Sequence, residues 1–185
     1  MEPQEQSNST LEKGKTMQLK KKRWLGLVIA PALLALIGFA SPAQANDYGG
    51  TCAGYPGNFD GTGNVNINNT GACTISVPVS AQGFVHITSS GAVNTQDVTA
   101  GTDLNITTSS GAITTLGLTT SNGDLKIDSA TNITVTGTID SYGSIQANAN
   151  NGKIAVSSTV TSNLGGNGAN ILLVATGNVR TGSIS

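Results

Sequence analysis

The sequence predicts an all-β protein: a single-stranded parallel β-solenoid with coils of about 20 residues, preceded by an export signal. Three observations carry that expectation. Short segments alternate apolar and polar residues at period two, the pattern of a strand with one buried side. These segments recur at a near-constant spacing, and successive copies match column by column. Charged residues make up 10% of the chain and aromatic residues 4%, which suits a narrow interior filled by aliphatic side chains.

The N-terminal segment reads as an export signal, residues 1–45. Lys20, Lys21, Lys22 and Arg23 form a positive stretch, Leu25 to Ala40 an apolar one, and Ala43-Gln44-Ala45 supplies small residues before a cut after Ala45. Met17 is a second candidate start, since Met17 to Ala45 has the length of a signal. An uncut membrane anchor fits less well. The apolar run is shorter than the ~20 residues a spanning helix needs, and Pro31 interrupts it. No membrane span is expected once the signal is removed.

The formal net charge of −1 hides a basic leader and an acidic remainder. Beyond the leader the cations are Lys126, Lys153 and Arg180, too few and too scattered for a nucleic-acid interface. Cys52 and Cys73 are the two cysteines, and an even count in an exported chain reads as a disulfide. With His86 the single histidine, the ligand set for a zinc site is missing, and no metal or cofactor is expected.

Residues 61–185 carry the repeat. GNVNI (63–67), GFVHI (83–87), TDLNI (102–106), GDLKI (123–127) and GSIQA (143–147) each place a turn residue before two aliphatics that bracket a polar residue. Val65 and Ile67 thus match Val85 and Ile87, then Leu104 and Ile106, Leu125 and Ile127, Ile145 and Ala147. A second column holds Cys73, Val93, Ile113, Ile133, Ile154 and Val179; a third holds Val79, Val98, Leu118, Ile139, Val160 and Ile184. Thr, Val and Ile suit a pleated surface, and Gly, Asn and Ser the turns. A meander of hairpins would repeat a two-strand unit, whereas here a whole block repeats, so each strand pairs with its counterpart one coil away. Each coil rises by the interstrand spacing, so six coils give a rod of roughly 29 Å. One coil alone cannot offset the entropy of ordering it, which makes the terminal coils the weakest.

Residues 46–60 are expected to form an irregular N-terminal cap. Cys52 and Cys73 lie almost one coil apart, within disulfide reach of each other, so the bridge would staple the cap to the first coil. Tyr48, Tyr55, Pro56 and Phe59 supply the bulk to plug the open end.

These columns resemble filamentous-haemagglutinin-type repeats of large secreted bacterial adhesins, most closely in GAVNTQDVTA (91–100), GAITTLGLTT (111–120) and GNVRTGSIS (177–185). GGNGANILLVA (165–175) resembles the Gly/Asn-rich turn common in such repeats. The resemblance implies a right-handed parallel β-helix serving adhesion or forming a stalk. It also implies a location outside the cytoplasm of a Gram-negative-type bacterium: secreted, at the cell surface or in the periplasm. The chain lacks the secretion domain such adhesins begin with, and its last repeat stops at Ser185 without a polar cap. A fragment of a larger adhesin, a degenerate paralogue or a subunit that stacks on another would each read this way.

Catalysis finds little support. Asp124, Asp128 and Asp140 fall in neighbouring coils with Lys126 close to the first two, the residue types of a solenoid lyase or hydrolase, for which a pair of carboxyls about 5–10 Å apart is needed. They share no column, and no Arg or His backs them. His86 should point outward without a partner. Asp60, Asp97 and Asp103 are single acids in turns, a poor set for calcium. Thr107, Thr114, Thr134 and Thr136 hint at an ice-binding Thr-x-Thr array, but the outward column at 74, 94, 114, 134, 155 and 180 reads Thr, Asn, Thr, Thr, Ala, Arg. The sequons at Asn68, Asn105 and Asn132 matter only in a eukaryotic secretory pathway. The expectation is therefore a non-catalytic structural or adhesive module. Its partners would be cell-surface glycans or further β-helix subunits, including copies of itself. A carbohydrate-active enzyme is the main alternative, and an ice-binding protein the lesser one.

Overall fold

In the computed structural model of the chain the described residues are 47–56, 61–163 and 169–185. The segment expected to be an export signal, with Ala45, and also Phe59 and Asp60, lie outside them. The rest forms an all-β parallel solenoid of six coils. Each coil turns through three strands, and each strand joins one of three sheets, here called faces 1, 2 and 3.

Face 1 contains Tyr48–Gly50, Val65–Asn69, Val85–Ser89, Leu104–Thr108, Leu125–Ser129, Ile145–Ala149 and Ile171–Ala175. Face 2 contains Cys73–Ile75, Val93–Thr95, Ile113–Thr115, Ile133–Val135, Ile154–Val156 and Val179–Arg180. Face 3 contains Val79–Ala81, Val98–Ala100, Leu118–Thr120, Ile139–Ser141, Thr159–Ser162 and Ser183–Ile184. Every pairing is parallel and joins residues of like position. Val65 pairs with Val85, and Val85 with Leu104; Ile113 pairs with Ile133; Leu118 pairs with Ile139. The register follows from the alternation. A slip of one residue would turn the whole aliphatic column outward.

The aliphatic columns line the interior. Ile67, Ile87, Ile106 and Ile127 of face 1, Ile113 and Ile133 of face 2, and Leu118 and Ile139 of face 3 are all fully buried. Alternation continues beyond them into hydroxyl side chains. Ser89, Thr108 and Ser129 end face 1 strands and point inward, as do Thr95 and Thr115 on face 2 and Thr120 and Ser141 on face 3. All of them except Thr95 donate to carbonyls at the corners. The Thr108 hydroxyl donates to Gly111 O at 2.7 Å, Ser129 to Asn132 O at 3.0 Å, Ser141 to Gly123 O at 3.1 Å. A buried corner thereby keeps its turn carbonyls paired.

The corner before face 1 is held by a second ladder. Asn64 Oδ1 accepts the Phe84 N–H at 3.0 Å, Asp103 Oδ1 the Asp124 N–H at 3.0 Å, and Asp124 Oδ1 the Ser144 N–H at 2.7 Å. Each side chain thus bonds the main chain of the next coil.

The cap is more regular than the sequence suggested. Tyr48–Gly50 is a strand that pairs with Val65–Ile67, and Cys52–Gly54 is a single 3-10 turn. Cys52 and Cys73 are disulfide-bonded with their Cα atoms 5.3 Å apart, the adjacent-coil spacing expected for stacked positions. Tyr48 and Tyr55 meet edge to face at 5.1 Å and pack on the core. Gly61 enters the first coil at φ 70°, a left-handed conformation that other residues seldom adopt.

One expectation is corrected. Ile171–Ala175, read as part of a Gly/Asn-rich turn, is the sixth coil's face 1 strand, and Ile145 pairs with Ile171. Its sequence, ILLVA, is apolar on both sides, so the alternation that marks the face 1 strands of the other five coils is absent.

Candidate functional site

With aliphatic and hydroxyl side chains filling the interior, the remaining polar groups of the strands stand in the outward columns. Face 1 has the longest strands and presents two columns. One reads Asn66, His86, Asn105, Lys126, Gln146 and Leu172; the other reads Asn68, Thr88, Thr107, Asp128, Asn148 and Val174. Face 2 presents Thr74, Asn94, Thr114, Thr134, Ala155 and Arg180. Face 3 presents Ser80, Thr99, Thr119, Asp140 and Thr161. Within a column, successive side chains stand one interstrand spacing apart, about 4.8 Å.

The face 1 columns are partly cross-linked. Thr107 donates to Asn105 Oδ1 at 3.2 Å, Asn68 Nδ2 to Asn66 Oδ1 at 3.4 Å, and Asn150 Nδ2 to Asp128 Oδ1 at 3.2 Å. These bonds fix the amide groups in one orientation while leaving lone pairs and N–H groups turned to solvent. His86 is half-buried rather than free. It stacks on Phe84, with ring centroids 4.3 Å apart and planes 29° apart, giving face 1 a small aromatic platform beside its amides.

The acids named as catalytic candidates do not converge. Asp124 sits at the corner before face 1 and is occupied by the Ser144 N–H. Asp128 points out from face 1, and Asp140 points out from face 3, where it accepts Asn163 Nδ2 at 2.6 Å. Four residues of extended strand hold the backbones of Asp124 and Asp128 roughly 13 Å apart. Lys126 lies between them in the neighbouring column. Asp103 serves the corner ladder, and Asp97 lies against Gly117. Among the described residues no three His, Cys, Asp or Glu side chains are grouped to hold a metal ion. Thr107 belongs to face 1, Thr114 and Thr134 to face 2, and Thr136 to the turn after it. Of the sequon asparagines, Asn68 and Asn105 point out from face 1, while Asn132 Oδ1 accepts the Lys153 N–H at 2.9 Å.

A scan against family models, a search of curated proteins and a search of solved structures each find no match.

Two features escaped the sequence reading. The Phe84–His86 stack carried a usable signal, because two residues of one strand end project to the same side when they are two apart. The inward hydroxyls carried one too: Ser89, Thr108 and Ser129 continue the period-two count from the aliphatics before them. Among the described residues no helix is long and apolar enough to cross a membrane.

Proposed function

We propose that this chain is a non-catalytic adhesive or structural β-helix module of the filamentous-haemagglutinin repeat type, exported from a Gram-negative-type bacterium, whose outer faces bind surface glycans. The supporting observation is the double column on face 1: amide, hydroxyl and imidazole groups at coil spacing through five coils. Sugar hydroxyls are met by such groups through many single hydrogen bonds. Each is worth little net, and repetition along the rod raises the avidity. The Phe84–His86 stack adds an apolar surface of the kind a sugar ring lies against.

The test is retention of the purified chain on an array of neutral and charged bacterial and host glycans. Wild-type protein is retained. A variant with Asn66, Asn105 and Gln146 changed to Ala keeps its unfolding midpoint and loses retention. No retention of wild type, or full retention of the triple variant, overturns the reading.

A specific observation favours a second reading for the sixth coil. Leu172 and Val174, both on the outer side of face 1, are 50% and 47% exposed. This apolar strip at the end of an otherwise polar face would be covered by a second copy of the chain. Light scattering across a concentration series reads this directly. Growth in size that Val174→Lys suppresses supports stacking, and a constant monomer refutes it.

A further inference from the structure

The cations of the described solenoid are Lys126, Lys153 and Arg180, against six aspartates. Two of the three border one hollow. Lys153, Ile154, Ala155, Asn178 and Arg180 line a cavity of about 320 Å³ on face 2, between coils five and six. Its volume falls at the lower end of small-molecule sites.

The register explains the hollow. Ile154 pairs with Val179 and Ala155 with Arg180, so Lys153 stands beside Asn178 and the two cations lie on one diagonal. Two residues of strand and one interstrand step put their Cα atoms roughly 8 Å apart. Ala155 occupies the place that Thr134 holds one coil earlier, and its methyl leaves the floor open. Gly177 sets the direction of the lysine. A Cβ there would stand 2.9 Å from Lys153 Cγ, so the lysine stem leans over Gly177 toward the coil that carries Arg180. Lys153 uses its main-chain N–H on Asn132, and both cationic head groups lack a side-chain partner among the described residues.

We infer that this hollow binds the carboxylate of an acidic sugar, so that the glycan taken by the solenoid is a uronate-bearing polysaccharide. The inference rests on the glycan-binding reading and adds the ligand class. A carboxylate between an ammonium and a guanidinium gains charge-assisted hydrogen bonds from both, and the Asn178 amide is within the same hollow for a ring hydroxyl. Thr134, Thr114 and Asn94 continue the face 2 column away from the hollow and offer hydrogen-bond groups to the sugars that follow. Polyphosphate is a poorer fit, because it carries charge but no ring hydroxyls for the Asn178 amide and the Thr and Asn groups of face 2 to meet.

The experiment is affinity electrophoresis of the full chain through gels containing polygalacturonate, its fully methyl-esterified form, or polyphosphate. Wild type is retarded by polygalacturonate and much less by the ester, which has the same backbone without the charge. Lys153→Gln with Arg180→Gln weakens the retardation by more than about tenfold, since both charge-assisted contacts are lost. The unfolding midpoint of this variant stays near wild type, because both side chains are exposed. A second variant adds Gln82→Lys to Lys153→Gln, which restores the net charge at an exposed turn elsewhere; it stays weakened. Retardation of this variant equal to wild type would mean general charge attraction and overturn the inference. So would equal retardation by ester and acid, or stronger retardation by polyphosphate. Neutral-glycan retention on the array without any preference for polygalacturonate sinks this inference and leaves the broader reading intact. Absence of any glycan binding sinks both.

Discussion

Thr95 and Thr115 occupy equivalent inward positions in neighbouring coils, yet opposite outcomes are expected when each becomes valine. The Thr95 hydroxyl is buried and has no hydrogen-bond partner. The Thr115 hydroxyl donates to Gln96 O at 2.9 Å, in the turn of the preceding coil. The difference lies in the turns. Two residues, Gln96 and Asp97, separate the face 2 and face 3 strands of the second coil, whereas Ser76, Val77 and Pro78 separate those of the first. No carbonyl of this longer turn is a partner of the Thr95 hydroxyl. Valine keeps the shape of threonine and removes the hydroxyl. At Thr95 this relieves a buried group whose desolvation costs about 1–3 kcal/mol, so Thr95→Val should stabilise by roughly 1 kcal/mol. At Thr115 the same change breaks a made bond and strands the Gln96 carbonyl, for a loss of about 1–2 kcal/mol. Urea unfolding followed by circular dichroism, with the m-value unchanged, reads both. Two shifts of the same sign would refute the reasoning.

The remaining expectations concern the coils and the cap. Reducing Cys52–Cys73, or replacing both by Ser, should lower stability by about 2–4 kcal/mol and raise hydrogen exchange first in residues 47–56. Ile127→Ala in a middle coil should cost about 2–5 kcal/mol, while Ile184→Ala in the sixth coil, where the side chain is 56% exposed, should cost well under 1 kcal/mol. Similar losses at both sites would contradict the packing described. Burial pushes the Tyr55 phenol above its ordinary value, opposed in part by the backbone of Ser80, and burial raises Tyr48 as well. A group with a raised folded value contributes stability below its unfolded value and loses it as pH rises, so the cap should loosen above about pH 10. Tyr55→Phe should flatten that loss in a pH series of melting curves.

The three aliphatic columns were legible because the strand positions that begin each inward row take an aliphatic side chain and repeat it at a fixed interval. Val79, Val98, Leu118, Ile139, Val160 and Ile184 fall in one sheet, as their spacing required. The disulfide was legible for the same reason, since positions one coil apart stack. The strand Ile171–Ala175 was not, because Leu172 and Val174 are apolar on the outer side and erase the alternation. The inward hydroxyls were hidden by composition: Thr and Ser populate both sides of these strands, and their direction is known only once register is counted from the aliphatics. The hollow between Lys153 and Arg180 depends on which residues neighbour across coils five and six. The longer path between Ile145 and Ile171 breaks that count in the sequence.

The most direct test of the central claim is amide chemical-shift mapping of the chain titrated with the glycan that the array selects. The account predicts shifts that recur coil after coil at face 1 positions 66, 86, 105, 126 and 146, with the inward columns unmoved. Shifts confined to one turn, or scattered without relation to the columns, would contradict it.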